Sequence, residues 1–225
     1  MSAAAALAGL RVVVSAGPTY EDLDPVRFIG NRSSGKMGFA IAAAAARRGA
    51  QVVLVAGPVA LATPDGVQRI DVRSAAQMHH AVLDQLPADV YIGAAAVADF
   101  TPGRTSTSKI KKRDGDEGLT LELVRTRDIL ADVAGHVSRP RLVVGFAAET
   151  DDVEANARGK LAKKKLDLIA ANRVGVAGSG FEGDDNALAV YWHGGERALG
   201  PAPKTELADQ LLDLVAGRLA ADHAG

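Results

Sequence analysis

The sequence feature that most constrains the fold of this chain is the stretch FIGNRSSGKMGFAIA at residues 28–42. Its glycines, Gly30, Gly35 and Gly38, permit backbone angles and close approaches that a Cβ would block. The alanine-rich segment that follows predicts a helix from about Lys36 to Arg48. Because the first N–H groups of a helix have no partner within it and carry partial positive charge, this loop is expected to face an anion.

Two nucleotide-binding patterns nearly match this stretch, and neither is complete. Residues 30–37 follow GxxxxGK, but Met37 stands where a Walker A loop has the hydroxyl that holds magnesium. The dinucleotide pattern GxGxxG is absent, because the glycines are spaced differently. Two alternatives therefore stay open: a phosphate loop formed by Ser33, Ser34, Gly35 and Lys36, or a strand-to-helix turn with structural glycines.

Composition narrows the possible functions. The 225 residues, 48% hydrophobic and 24% charged, can bury a core as one large domain or as a domain with an arm. A net charge of −1 and 4% aromatic residues argue against nucleic-acid binding. The absence of cysteine excludes disulfides and a cysteine nucleophile and fits a reducing cytoplasm. No targeting signal occurs and no apolar run approaches the roughly 20 residues of a membrane span, so no membrane association is expected.

The alternation of strands and helices predicts an α/β fold. Apolar strands are expected at Val12–Val14, 51–56 and 89–93, and Ser74 is expected to cap a helix that ends near Leu86. Strand, glycine loop, helix and strand form a parallel βαβ unit. We therefore expect a Rossmann-like, mostly parallel sheet with helices on both faces, in one domain at 11–225 that follows a linker or ragged terminus at 1–10.

The second half of the chain continues this alternation with two interruptions. Further strands are expected at 142–146 and 167–171, and helices are expected to begin at Asp128, Thr150 and Lys204. Residues 109–124 and 187–199 are expected to form an antiparallel arm, and the glycine-rich segment 175–185 is expected to be mobile. The two excursions would leave strand edges for a partner to cover, which predicts a homodimer.

Polar residues mark the expected ligand site, because ligands of open parallel sheets bind at the carboxyl ends of the strands. They are Asn31, Asp99, Lys109, Asp128, Lys160, Lys164 and Asn172. The lysines could hold a triphosphate, and Asp99 could hold a magnesium-bound phosphate or a sugar hydroxyl. Taken alone, the lysines at 160, 163, 164 and 165 are more typical of a solvated helix face. The small residues Ala94–Ala96 could receive a ligand or serve sheet–helix packing.

Two enzyme classes are disfavoured by missing residues. The stretch SGKMGFAIAAAAARRGAQVVLVAG resembles the nucleotide-binding segment of short-chain dehydrogenases, but their Tyr-x-x-x-Lys pair is absent. Asp24, Ala95 and Gly195 stand four residues after Tyr20, Tyr91 and Tyr191. A serine hydrolase is disfavoured because no GxSxG elbow occurs.

A set of ordered motifs carries a more specific resemblance. The chain contains SAGPTYEDLDPVRFIGNRSSGKMGFAIA, AAAVADF, KIKK, RTRDIL, VGFAAET and KLAKKKLDLIAANRV in this order. Together they resemble bacterial phosphopantothenate-cysteine ligase, the carboxy-terminal half of a bifunctional coenzyme A biosynthesis protein. The resemblance extends from about Leu10 to Leu219.

This resemblance implies a Rossmann-like dimer that uses CTP and Mg²⁺. The carboxylate of 4'-phosphopantothenate would attack the α-phosphate of CTP, giving an acyl-cytidylate and pyrophosphate. The amine of L-cysteine would then displace CMP. Residues alone do not distinguish CTP from ATP, or cysteine from another amine.

The resemblance also assigns roles to residues. Asn31 would steady the acyl intermediate, although it could instead cap the helix that follows. Arg27 would face the phosphopantothenate across a dimer interface, with Ala96 also at that substrate, and Lys109 would serve the phosphates or the acyl transfer. The nucleotide would be bound by Gly93, Ala94, Ala95, Ala96, Asp99, Lys109, Arg127, Asp128, Ile129, Leu130, Phe146, Lys160 and Lys164, with Asp99 also at the magnesium.

Two departures from the family pattern affect these expectations. The family usually has Pro-Asp where this chain has Arg127-Asp128, so the backbone at that turn is less constrained. The flavin-dependent decarboxylase domain that normally precedes this region cannot fit into ten residues, so flavin is not expected.

Overall fold

The computed structural model of the chain describes residues 6–111, 117–173 and 185–222. Its strands are β1 (Arg11–Ala16), β2 (Tyr20–Asp22), β3 (Phe28–Gly30), β4 (Gln51–Ala56), β5 (Val67–Asp71), β6 (Val90–Gly93), β7 (Phe100–Pro102), β8 (Leu123–Arg125), β9 (Leu142–Glu149), β10 (Leu168–Arg173), β11 (Asp185–Trp192) and β12 (Gly195–Pro203). Its helices are α1 (Lys36–Arg47), α2 (Ala75–Leu83), α3 (Ile129–Ala134), α4 (Val153–Lys163) and α5 (Lys204–Asp222).

One large sheet organises these described elements, with strand order β12-β11-β10-β9-β6-β1-β4-β5. The six strands from β10 to β5 are parallel, and β11 and β12 extend the sheet antiparallel. The predicted fold class is confirmed. The next strand of this sheet along the chain after β1 is β4, which pairs with β1 on one side, whereas β6 pairs with β1 on the other side. The strand order therefore reverses between β1 and β6. Ligands of such sheets bind in the crevice at this point.

Helices cover both faces of the sheet because its strands are apolar on both sides. In β1, Val12 and Val14 pack into one core with α1 and α5, whereas Val13 packs into the other core with α2, α3 and α4. Successive strand residues point to opposite faces, so uninterrupted apolar strands require this double cover.

The alanine-rich helix α1 lies close against β1 and α5. A Cβ at Gly38 would overlap the Cβ of Ala16, so only glycine allows this approach. At the other end of the helix the buried Arg48 donates to Asp213 at 2.8 Å and to the carbonyl of Asp209 at 2.9 Å, both on α5. These bonds hold the carboxyl end of α1 against α5.

The structure differs from the sequence-based expectations in several elements. α4 begins after Asp152, not at Thr150, whose hydroxyl instead bonds Asp151. The half-exposed edge strand β5 was not predicted, since its residues lack a clear apolar alternation. The β2–β3 hairpin was also missed and was interpreted as an irregular connection.

The segments expected to form an antiparallel arm behave differently from one another. The structure describes residues 109–124 except for 112–116. In that described part only the last residues form a strand, β8, and this strand pairs with β7. Residues 187–199 lie in the hairpin of β11 and β12 and continue the main sheet. The segment expected to be mobile lies outside the described residues, apart from Asp185 at the start of β11.

The amino-terminal segment contributes to the core. Leu7 is fully buried, and its N–H donates to the carbonyl of Arg48 at 3.3 Å. The described part of the expected linker therefore packs onto the domain. Among the described helices, none has the length and apolar character needed to cross a bilayer.

Candidate functional site

A cavity of about 760 Å³ opens at the carboxyl ends of β1, β6, β9 and β10. The glycine loop before α1, the segment after β6 and the turn before α3 form much of its wall. The site-residue predictions that lie in this wall are Asn31, Ser33, Ser34, Gly35, Lys36, Gly93, Ala94, Ala95, Ala96, Asp99, Arg127, Asp128, Ile129, Leu130, Phe146, Lys160, Lys164 and Asn172. Arg27 and Lys109 do not line it.

The glycine loop presents the beginning of α1 to this cavity. Gly35 occupies the N-cap position with φ of 74°, a left-handed angle that glycine adopts without strain. No side chain caps the helix, and Ser33 Oγ instead accepts the N–H of Gly35 at 3.3 Å. The first N–H groups of α1 thus lack partners within the helix, as an anion-binding helix terminus requires.

Asn31 joins this loop to the segment after β6. Its Nδ2 donates to the carbonyl oxygen of Val97 at 2.9 Å, and its side chain is exposed. Since Gly35 holds the N-cap position, the alternative that Asn31 caps α1 is wrong. An amide Nδ2 carries two hydrogens, so one remains for a ligand.

The segment after β6 extends the sheet edge toward the loop. Ala94 N–H donates to Ser15 O at 3.0 Å, and Ala96 N–H donates to Gly17 O at 2.9 Å. Beneath them, Ser15 Oγ and Tyr91 Oη lie 2.9 Å apart, and burial raises the pKa of Tyr91 although this hydrogen bond opposes the shift. The alanines therefore cover a buried, neutral floor with little side-chain bulk.

Asp99 follows this segment and is exposed on the cavity wall. Its backbone carbonyl accepts Thr126 N–H at 3.0 Å, and Thr126 Oγ1 donates to Ala98 O at 2.6 Å. These bonds hold the Asp99 segment beside the turn before α3. No cluster of three or more potential metal-ligating side chains occurs in the described part of the chain.

Two of the lysines predicted to bind the nucleotide, Lys160 and Lys164, are each paired with a carboxylate. Lys160 Nζ lies 2.6 Å from Glu149 Oε1, and Lys164 Nζ lies 2.9 Å from Asp128 Oδ2. Asp128 also caps α3, because its Oδ1 accepts Ala131 N–H at 3.1 Å. Lys160 is nonetheless 46% exposed, and Lys163 and Lys165 are exposed as well, so the alternative of a solvated lysine face stays open for Lys160. Glu149 was not predicted.

Arg27 and Lys109 lie near each other on a different part of the surface. The buried Asp24 accepts Arg27 Nε at 3.0 Å and Ile110 N–H at 3.1 Å, and Arg27 Nη2 donates to Ile110 O at 2.6 Å. The hydrogen bond from the Arg27 side chain outweighs burial and, with backbone N–H donors, holds the pKa of Asp24 far below its usual range. Asp24 thus anchors the 109–111 segment to the turn before β3.

The cavity wall is strongly cationic, although the chain as a whole has a net charge of −1. Among the described residues, seven cationic side chains line it against two carboxylates. The cationic residues are Arg32, Lys36, Arg125, Arg127, Lys160, Lys164 and Lys204, and the acidic ones are Asp99 and Asp128. Such a wall concentrates anions in the crevice.

Among the described residues of this wall, seven polar ones were missed from the sequence: Ser15, Arg32, Tyr91, Arg125, Thr126, Asn186 and Lys204. Arg32 and Arg125 lie inside two of the motifs that carry the family resemblance, so the predicted site residues beside them could have indicated both arginines. Lys204, only 6% exposed, begins α5, and Asn186 lies on β11. Both come from the antiparallel end of the chain, where the rule for parallel strand ends gives no guidance.

The fold and the cavity define a doubly wound α/β protein with a cationic cavity at the point where its strand order reverses, which is where ligands of such sheets bind. Residues 7–219 match the family model described as "DNA/pantothenate metabolism flavoprotein C-terminal domain", and the chain belongs to this family.

Individual relatives agree with this assignment. "Coenzyme A biosynthesis bifunctional protein CoaBC" of Vibrio cholerae is 50% identical over 210 residues, which are 93% of this chain and 53% of the relative. The chain therefore spans about half the length of the curated relatives it matches. The solved C-terminal domain of a CoaBC protein has a TM-score of 0.82 and 38% identity, and the match covers 96% of this chain and 99% of that domain. The resemblance to the carboxy-terminal half of a bifunctional coenzyme A biosynthesis protein is confirmed.

A more distant structure has the same fold. A mutant of Cab2, solved as a complex with phosphopantothenate-cysteine, has a TM-score of 0.75 at 17% identity over 96% of this chain and 89% of its own.

Proposed function

We propose that the chain is a ligase of coenzyme A biosynthesis that joins 4'-phosphopantothenate to L-cysteine with consumption of CTP. The cationic cavity at the reversal of strand order carries this proposal, because both substrates that react first bear phosphate groups. Family membership adds support through relatives named as coenzyme A biosynthesis proteins. The Cab2 structure, whose bound molecule contains both phosphopantothenate and cysteine, agrees with the proposed product.

In the first proposed step, a carboxylate oxygen of 4'-phosphopantothenate attacks the α-phosphorus of CTP, and the bond to the β-phosphate oxygen breaks. Pyrophosphate leaves with the electron pair of that bond. The first turn of α1 and the lysines on α4 and beside it would stabilise the charge that develops on the phosphates. Lys160 and Lys164 then exchange their carboxylate partners, wholly or partly, for phosphate oxygens.

In the second proposed step, the amine of L-cysteine attacks the acyl carbon, CMP leaves, and the ammonium proton is lost to solvent or buffer. Asn31 would donate its remaining amide hydrogen to an oxygen that gains negative charge. The bond from Nδ2 to Val97 O fixes the orientation of the amide, so this donor is positioned before the substrate arrives.

Mg²⁺ would be held by Asp99 together with phosphate oxygens of CTP. Asp99 is an exposed carboxylate and one of the two that line the cationic wall, and magnesium in nucleotide sites is commonly bound by one or two carboxylates and the substrate phosphates. The cation would neutralise phosphate charge during transfer.

We also propose that the chain works as a homodimer with shared sites. The β2–β3 and β7–β8 hairpins expose large apolar side chains, and Val26, Phe28, Phe100, Leu123 and Val124 are each at least 41% exposed. An apolar surface of this kind is typical of a subunit interface. Arg27 and Lys109 lie beside it and outside the cavity of their own chain, so a second copy could bring them to its cavity.

The reaction can be tested by measuring pyrophosphate release with CTP, 4'-phosphopantothenate and cysteine, each omitted in turn. The ligase predicts release that requires the first two and amide product that requires all three. NADPH oxidation would instead indicate a dehydrogenase, and tight nucleotide binding without turnover a sensor. Replacing CTP with ATP tests the choice of nucleotide.

Since the relatives are named as bifunctional and are about twice as long, we propose that a flavin-dependent decarboxylase domain accompanies this region in a longer protein. A cytoplasmic location belongs to the same proposal, because coenzyme A synthesis uses nucleotides of the cell interior.

A further inference from the structure

A carboxylate behind the cavity wall joins three elements of the chain. Asp132 on α3 lies with its Oδ2 2.7 Å from Nε2 of His79 on α2, and the same oxygen accepts Nε of Arg127 at 3.1 Å. Arg127 belongs to the turn before α3 and lines the cavity, whereas Asp132 and His79 do not. One oxygen atom thus connects a cavity residue to a helix that does not line the cavity.

The burial of these side chains increases from the cavity inward. Arg127 is 74% exposed, Asp132 32% and His79 12%. Burial alone would raise the pKa of Asp132, but the hydrogen bond with His79 and the charge and hydrogen bond of Arg127 outweigh it, so the pKa lies below its ordinary value. The carboxylate is therefore charged at neutral pH and can hold a guanidinium.

The way in which Arg127 is held leaves most of its donors unused. Asp132 binds Nε, and the terminal nitrogens Nη1 and Nη2 make no hydrogen bond to any residue in the described part of the chain. A planar guanidinium fixed at one nitrogen can present its remaining N–H groups to a phosphate in a bidentate arrangement. Fixing it beforehand also reduces the ordering cost of binding.

We propose that Arg127 binds a phosphate group of the nucleotide through its side chain and that Asp132, itself oriented by His79, is the positioning residue for Arg127. This inference deepens the proposed function and rests on it for the identity of the nucleotide. It assigns to the Arg127 side chain a contact that the turn's backbone could not supply. Because Arg127 is 74% exposed, its ion pair with Asp132 adds little stability and affects binding more than folding.

Calorimetric titration of the full chain with Mg·CTP, inorganic tripolyphosphate and cytidine tests the proposal. Arg127→Ala should weaken both phosphate ligands about tenfold or more, since a charge-assisted bond to phosphate is lost, and should leave cytidine binding unchanged. Arg197→Ala is the matched control, because Arg197 is exposed on β12 and does not line the cavity. The Arg197→Ala protein should bind all three ligands with the same affinities as the wild type.

The role of Asp132 is tested with Asp132→Asn alone and combined with Arg127→Ala. If Asp132 acts through Arg127, the single variant weakens tripolyphosphate binding about threefold, and the same change has no effect when Arg127 is absent. Asp132→Glu should restore part of the lost affinity. Equal weakening in both backgrounds would mean that Asp132 acts by supporting the fold, and would overturn its positioning role.

The outcomes separate this inference from the proposed function. Turnover with CTP in the wild type, together with unchanged phosphate affinity in Arg127→Ala, would overturn the inference and leave the function standing. Tripolyphosphate binding that depends on Arg127, without any affinity for CTP, would reject the nucleotide function and support the phosphate contact. A wild type that binds neither phosphate ligand would overturn both.

Discussion

The side-chain amide of Asn31 and the backbone carbonyl of Val97 are joined by a hydrogen bond of 2.9 Å across the cavity. It connects the glycine loop before α1 to the segment that follows β6, two parts of the chain that are distant in sequence. The bond uses one of the two amide hydrogens, so the orientation of the other is set by the fold.

Asn31→Asp tests this arrangement. The substitution keeps the size of the side chain but places a carboxylate next to a carbonyl oxygen and the proposed phosphates. We expect turnover to fall by about 10²–10³, the usual cost of one preorganised donor. Because Asn31 is exposed, the free energy of unfolding should change by less than about 1 kcal/mol. Turnover and the melting temperature are the measurements.

Asn156→Asp is a matched control for this variant. Asn156 is also exposed, and its Nδ2 also donates to a backbone carbonyl, that of Asp151, at 2.9 Å. Since it lies outside the cavity, turnover should be unaffected. An Asn31→Asp protein with normal turnover would remove Asn31 from the catalytic machinery.

Lys109→Gln should leave the fold intact and abolish most turnover. Lys109 is exposed, so its replacement opens no core, whereas an amide cannot replace its charge near a phosphate. Lys111→Gln, a substitution of another exposed lysine two positions further on, should keep most activity. If the Lys111 variant were the inactive one, the role would belong to that neighbour.

Mixing the inactive Lys109→Gln and Asn31→Asp proteins tests whether sites are shared between subunits. If Lys109 serves the partner's cavity, every mixed dimer contains one intact site, and random mixing restores about a quarter of the wild-type turnover. If both residues act within one chain, mixing restores nothing. Light scattering on the same samples establishes whether dimers form, and a fully active monomer would remove the shared-site proposal.

Asp24 should make stability depend on pH at the acidic end. Its pKa lies below the ordinary value of 3.8, so its ionised form stabilises the fold at pH values above 3.8. This contribution is lost as the pH falls from there toward the lowered folded-state value. Asp24→Asn should therefore melt at a lower temperature than the wild type at pH 7, and the two melting curves should converge at acidic pH. A difference in melting temperature between the two proteins that stays constant with pH would contradict the lowered pKa of Asp24.

Gly38→Ala tests the close packing of α1 on β1. A methyl group at this position would overlap Ala16, and overpacking of this kind typically costs about 1–3 kcal/mol. In contrast, Gly217 in α5 has open space around its Cβ position, so Gly217→Ala should stabilise the protein by up to about 1 kcal/mol. Urea unfolding of both variants measures the two free energies. A neutral Gly38→Ala would mean that α1 can move away from the sheet without cost.

Much of the fold could be predicted because its signals are local. The apolar runs of β1 and β4, the glycine loop and the helix of α1 are determined by neighbouring residues. Parallel strands place their carboxyl ends at one edge, so the approximate positions of Asp99 and the residues around it followed from order along the chain. The edge strand β5 did not follow, because its half-exposed residues acquire their pattern from the neighbouring strand.

The sequence by itself determined part of the charge of the candidate site, since its motifs predicted Arg127, Lys160, Lys164 and the aspartates Asp99 and Asp128, whereas Arg32, Arg125 and Lys204 were missed. Only the tertiary structure decided how those charges are paired. Lys160 meets Glu149 and Asp132 meets both His79 and Arg127, whereas Arg27 turns to Asp24 outside the cavity. An ion pair depends on distances of a few ångströms between side chains of different elements, and those distances exist only after the sheet and helices have packed.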